Sequence, residues 1–246
     1  MSNQFQNHLP PISEIWVYLS GSPLLALVLT LSAYLLGLTL YERSQRNPLA
    51  NPVLIAVVVV TLSISVLDMP YAKYFEGAQF VHFLLGTATV SLAIPIYKGF
   101  ASLKGRMGVL LLSLVAGGVT SVFTAVGVAR WLGVDESLVR GLVAKSVTAP
   151  IAMGIAERVQ ASPTLTAIFA VSTGILGAIL GRYVLDVLRV TQWWQRGFAL
   201  GVAAHGIGTS RAFSVHPEAG AYASLGMGLH GIVGAVVIPY AVAWWF

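Results

Sequence analysis

From Met107 to Ala129 the chain carries no charged side chain, and from Ile15 to Tyr41 it carries none either. A hydrocarbon core about 30 Å thick takes roughly 20 apolar residues of helix to cross, and each of these runs is long enough. In lipid the backbone must satisfy its own hydrogen bonds. A helix is therefore expected even for the β-branched run Val53-Leu-Ile-Ala-Val-Val-Val-Val60, which in water would read as a strand. Composition agrees: only 9% of residues are charged and 57% are apolar, whereas a soluble domain carries roughly a quarter charged residues.

Further apolar runs at 47–67, 77–97, 138–156, 159–181, 197–210 and 219–246 complete the reading. The expected fold is an all-α polytopic membrane protein with about eight membrane segments. A tail over 1–14 precedes a single transmembrane domain over 15–246. The tail lacks the basic start of a secretory signal, so the first run is expected to be retained, in a bacterial inner membrane. Residues 68–76 read as a polar turn with Tyr71, Tyr74 and Phe75 at interface depth.

The formal net charge is +5, but the basic residues lie singly between apolar runs and form no stripe for a phosphate backbone. Nucleic acid is not expected as a partner; the bilayer is. The basic residues instead mark cytoplasmic loops. With the N-terminus outside, Arg43, Arg46, Lys98, Lys104 and Arg106 fall inside. Eight plain spans would leave Arg182, Arg189 and Arg196 outside. A broken or re-entrant segment at 138–156 returns them to the cytoplasm.

That segment contains Lys145-Ser146-Val-Thr148-Ala-Pro150-Ile-Ala-Met153. A lysine at the centre of a membrane helix costs about 2.5–3.5 kcal/mol, so it faces a partner or an aqueous cavity, unless it snorkels to the interface beside Arg140. Pro150 removes a backbone donor and breaks the helix. A half-helix starting there aims N–H groups and partial positive charge at its end. With the hydroxyls of Ser146 and Thr148, these features describe a pocket for a small anion. The stretch Gly86-Thr87-Ala-Thr89-Val-Ser-Leu-Ala93-Ile-Pro overlays on Lys145-Ser146-Val-Thr148-Ala-Pro-Ile-Ala152-Met-Gly, pairing Thr87 with Ser146 and Thr89 with Thr148. Paired interrupted segments point to an inverted repeat, although two Ala/Thr-rich runs also resemble each other by chance.

A third polar island, His205-Gly-Ile-Gly-Thr209-Ser-Arg211, reads either as another wall of the pocket or as a loop end. In the first case Arg211 forks onto a carboxylate and His205 carries a proton; in the second His205 only packs. His82 and His230, each alone among apolar residues, read as packing residues. The chain has no cysteine, and zinc, nucleophile-elbow and phosphate-loop spacings are absent. No catalytic residue, metal site or cofactor is expected, and the chain does not read as an enzyme.

The segments Leu84-Leu-Gly-Thr-Ala-Thr-Val-Ser-Leu-Ala-Ile-Pro-Ile-Tyr-Lys98, Lys145-Ser-Val-Thr-Ala-Pro-Ile-Ala-Met153 and Gly201-Val-Ala-Ala-His-Gly-Ile-Gly-Thr-Ser-Arg-Ala212 resemble the three signatures of the LrgB/CidB family. That resemblance implies transport of small monocarboxylates such as glycolate, glycerate, lactate or pyruvate, as in the C-terminal half of the plant plastidial glycolate/glycerate transporter. It equally implies regulation of murein hydrolase export and cell lysis beside a small LrgA/CidA-like membrane partner. The family often carries proline where this chain has Thr87, which softens or displaces the break expected there. For the transport reading, 77–106 and 138–212 form the binding core. A scaffold at 15–67, with 219–246 as final span, presents small-residue faces suited to a homodimer.

Overall fold

Prolines open the helices of this chain. The computed structural model describes residues 23–91, 94, 97 and 105–245, without the side chains of 82, 85, 86, 88 and 89. Among them α1 (Pro23–Arg43), α2 (Pro52–Val66), α7 (Pro163–Val187) and α9 (Pro217–Trp245) all begin at proline, whose missing N–H costs nothing in the first helical turn. The others are α3 (Tyr71–Ser91), α4 (Met107–Trp131), α5 (Glu136–Leu142), α6 (Ala149–Arg158) and α8 (Trp193–Val215). Every regular element among the described residues is helical.

The chain divides into two compact units, 1–90 and 91–246. In the first, α1 pairs with α2 where Gly37 meets the backbone of Pro52, since a Cβ there would sit 2.6 Å from the Pro52 carbonyl oxygen. Asn47 and Asn51 cap a 3-10 turn (Pro48–Ala50) and α2 through their side chains. The expected turn at 68–76 is largely helix. Tyr71, Tyr74 and Phe75 follow the 3–4 spacing of one helical face, their rings are in contact, and the Tyr74 hydroxyl lies 2.8 Å from Thr30 Oγ1 on α1. Nor does α3 break at Gly86–Thr89. The Thr87 hydroxyl donates back to the Leu84 carbonyl at 2.8 Å, a local bond compatible with continued helix.

Among the described residues four helices are long and apolar enough to cross a membrane, namely α1, α4, α7 and α9, and α2 is a shorter apolar helix. Of the other expected segments, 47–67 holds only the 15-residue α2, 77–97 lies partly outside the described residues, and two stretches of the second unit fold as hairpins. Hairpin 1 is α5 and α6 joined by 143–148. It starts beside the end of α4, where Arg130 pairs with Glu136. The link 159–162 returns it to α7, and Gly141 of its first arm faces Thr166 near the start of that helix. Its arms bury Val139 and Ile155, and its turn Val143 and Val147, in one cluster with Val126 and Ala129 of α4 and Val242 of α9. Hairpin 2 is α8 itself. His205, at φ 40° and ψ −129°, interrupts it, and Gly208 packs back on Ala204 and Leu200. The Trp193 and His216 rings at its two ends stack with centroids 4.9 Å apart.

The hairpins enter from opposite ends of the unit. Arg130 stacks over Trp245 at the hairpin 1 end, 5.4 Å from the ring centroid. Arg106, at the start of α4, lies 4.9 Å over Trp194 of hairpin 2 and donates to the Tyr222 hydroxyl at 3.2 Å. Hairpin 2 runs beside α9 with its backbone in close contact: Gly197 meets the Ala219 carbonyl and Gly201 that of Ala223. A side chain at either glycine would occupy the space of the neighbouring backbone, so these helices approach only because both positions lack Cβ.

Candidate functional site

Each hairpin carries polar groups to its tip. At the tip of hairpin 1, α5 has ended, and Thr148 and Pro150 start α6, with Thr148 extended at φ −61° and ψ 146°. Between them Lys145 Nζ donates to Ser121 Oγ of α4 at 2.7 Å. The buried Ser146 Oγ lies 3.2 Å from His230 Nε2 of α9. Ser121 stands about 15 Å of helix rise from Trp131, where α4 ends. The tip thus reaches the middle of α4, a helix long enough to cross a hydrocarbon core about 30 Å thick.

The tip of hairpin 2 is the His205 break. His205 is buried, its Nε2 lies 2.8 Å from the Ala170 carbonyl oxygen of α7, and a Cβ on Gly174 would meet its ring at 2.6 Å. Thr209 donates to the His205 carbonyl at 2.8 Å, tying the second arm to the turn. Thr173, between Ala170 and Gly174, lines one cavity with Lys145 and Ser121. Both tips therefore converge on the same turn of α7. The cavity has a volume of about 810 Å³ and is mostly apolar, with polar side chains at Ser113, Ser121, Lys145, Thr173 and Gln195.

Of the residues singled out in the sequence, Lys145, Ser146, Thr148, His205 and Thr209 belong to the two tips. Pro150 is exposed in the first turn of α6. Arg211 lines a different cavity of about 290 Å³ with Arg182, Asp186 and Arg196. Thr87 belongs to the first unit, and the side chains of Thr89 and His82 lie outside the described residues. His230 does more than fill space: it meets Ser146, and its ring occupies the room left by Gly118 on α4, 3.1 Å from where a Cβ would sit. Ser121 and Thr173 went unnoticed because a lone hydroxyl in an apolar helix commonly bonds its own backbone. The spacing of Ser113, Gly117 and Ser121, one face of a helix at every fourth residue, was the available signal. Among the described residues no three of His, Asp and Glu converge as a metal cage.

Long apolar helices and two opposed, polar-tipped hairpins define a multi-pass cell-membrane protein built around a buried polar centre. The LrgB-like family model matches residues 30–244, and the chain belongs to that family. It is 32% identical over 220 residues to YwbG of Bacillus subtilis, covering 89% of this chain and 97% of the relative. It is 27% identical to the holin-like protein CidB of Staphylococcus epidermidis, covering 89% and 95%, and 27% identical to that of Staphylococcus aureus over the same shares. No solved structure matches the chain.

Proposed function

We propose that the second unit is the substrate-carrying part of a membrane transporter for small monocarboxylates of the glycolate, glycerate, lactate and pyruvate class. The observation that carries this reading is Lys145. It lies at half depth against Ser121, in a cavity with hydroxyls from two spans. An intramembrane cation needs a partner, and Lys145 Nζ is bonded to a neutral hydroxyl in the described structure. A carboxylate offers it a charge-assisted bond in place of a neutral one, with Ser121 and Thr173 as further donors.

The opposed hairpins support an inverted repeat, paired differently from the overlay of 86–95 on 145–154. α4 followed by hairpin 1 matches α7 followed by hairpin 2 in the opposite sense. Such repeats place their sites at the midplane and work by moving one bundle against another. Positive-inside counting favours the cytoplasm for the end holding Arg106, Arg182, Arg189, Arg196 and Arg211, against Arg130, Arg140 and Arg158 at the other. Hairpin 1 is then re-entrant from outside. Residues 15–67, with a second copy of the chain, are assigned to the scaffold.

The names of the Staphylococcus relatives favour a second reading more directly: a holin-like protein that acts on murein hydrolase export and lysis with a small LrgA/CidA-like membrane partner. Reconstitution separates the two. The transport reading expects saturable uptake of labelled glycolate or pyruvate into liposomes. In Lys145→Met that uptake falls at least tenfold while the protein keeps its size-exclusion profile and melting temperature. Uptake without saturation, or wild-type rates in Lys145→Met, overturns it in favour of the holin-like reading.

A further inference from the structure

The cavity that ends at Lys145 extends toward only one end of the unit. On α4 its lining runs from Val109 through Ser113 and Gly117 to Ser121, and on α7 from Leu185 back to Thr173. Each stretch covers about 18 Å of helix rise, more than half of a 30 Å hydrocarbon core. At its outer end it reaches Val190, Trp194 and Gln195, where Arg106 stacks on Trp194. Beyond Ser121 and Thr173, toward Trp131 and Pro163, the same two helices contribute Val126, Ala129 and Ala170 to the apolar core that fills hairpin 1.

The rim of this opening is basic. Arg196 bonds Asp186 at 2.7 Å and the Val190 carbonyl at 2.9 Å. Arg182 and Arg211 line the smaller cavity next to it, which shares Leu185 and Leu200 with the larger one. Positive potential at a cleft mouth raises the local concentration of small anions. Inside, Ser113, Gly117 and Ser121 make a narrow polar track on an otherwise apolar wall, leading to the ammonium.

We infer that a small anion reaches Lys145 along the Ser113–Gly117–Ser121 face of α4, from the arginine-bearing end alone, and that hairpin 1 with its apolar packing is the closed gate on the other side. Ser121 and Thr173 are the hydroxyls that receive the anion together with Lys145, and Ser113 lies on the way. The ligand class rests on the monocarboxylate reading above; the path and its one-sidedness do not.

The absence of cysteine from the sequence makes single-cysteine reporters direct. Ser113→Cys, Ser121→Cys and Thr173→Cys are exposed to a membrane-impermeant anionic thiol reagent in sealed vesicles of both orientations. Arg189→Cys, in the link between α7 and α8, marks the arginine side. Leu112→Cys, on the exposed flank of α4 (72% exposed), is the lipid-depth control. The expected result is modification of all three reporters from the arginine side, at least tenfold faster than from the other, with Leu112→Cys unreactive. Glycolate or pyruvate slows Ser121→Cys and Thr173→Cys at least tenfold and Ser113→Cys much less. Should Ser121→Cys misfold, Thr173→Cys reads the same depth. Equal reactivity from both sides, reactivity from the opposite side only, or no reactivity at either inner position overturns the path. One-sided modification that no monocarboxylate slows upholds the path and overturns the substrate assignment.

Discussion

Hairpin 1 and hairpin 2 solve the same problem, turning a helical segment back on itself between long apolar helices, with different chemistry. The first spends six residues, 143–148, on the turn and restarts with a proline in the first turn of α6. Its tip points polar side chains outward, Lys145 to α4 and Ser146 to α9. The second reverses at the single residue His205 in a left-handed conformation and has no proline. Its strength comes from backbone contact with α9 at Gly197 and Gly201. One hairpin is held at its tip by side chains; the other is held along its length by the absence of them.

This contrast sets what should break each. The largest stability effect is expected at Gly201→Leu, whose side chain would have to displace the Ala223 backbone. We expect a loss of about 3 kcal/mol or more by overpacking, read as a fall in melting temperature in detergent and loss of the α8–α9 contact in crosslinking. Ser146→Ala should cost about 1–3 kcal/mol by orphaning the buried His230, with no effect on that crosslink. If Ser146→Ala loosened hairpin 2 as much as hairpin 1, the separation between the two would fail.

At His205 the positive-φ backbone costs a side-chain-bearing residue about 1–3 kcal/mol, while the bond to Ala170 offsets part of it. His205→Ala keeps the strain and loses the bond, so it should melt lower than His205→Gly, which loses both. The reverse order would show that the turn is not strained.

The smallest effect concerns the entry to hairpin 1. Asp135 caps α5, and hydrogen bonds from the Ser137 hydroxyl, then its N–H, hold the Asp135 carboxyl below its ordinary value of 3.8. A depressed native value means a stabilising contribution present above the unfolded value and lost as pH falls through the native one. The melting-temperature gap between wild type and Asp135→Ala should therefore be constant above about pH 5 and close only as pH falls below 3.8 and through the native value. A gap that persisted after the Asp135 carboxyl of the folded protein had titrated would assign the cap a role without the charge.

The same contrast explains what the sequence made legible. Long uncharged runs announced α1, α4, α7 and α9, because lipid leaves the backbone no alternative to helix. Hairpin 1 was visible from a lysine, two hydroxyls and a proline in an apolar run, and from arginines that eight plain spans stranded on the wrong side. Hairpin 2 was not. Its turn is one backbone dihedral, and glycine-rich helices look alike whether they cross or fold back. The overlay paired hairpin 1 with Gly86–Pro95, whereas in the structure Thr87 lies in unbroken helix. Lys145 and Ser146 were found as site candidates because charge and hydroxyl are expensive in lipid. Ser121 and His230 were missed as site residues because the groups they meet, Lys145 and Ser146, are distant in sequence, and Thr173 because only packing brings it to the cavity.

The glycine face of α8 bears on how the chain is made. Each arm of hairpin 2 has only about 15–18 Å of rise, too short to anchor as a stop-transfer segment, and the surface it must cover is supplied by α9, the helix that leaves the ribosome after it. Hairpin 2 cannot take its final place until α9 is also in the bilayer. The order of synthesis thus leaves the tip bearing His205 to be installed last, into a cleft between α4 and α7 already lined with Lys145.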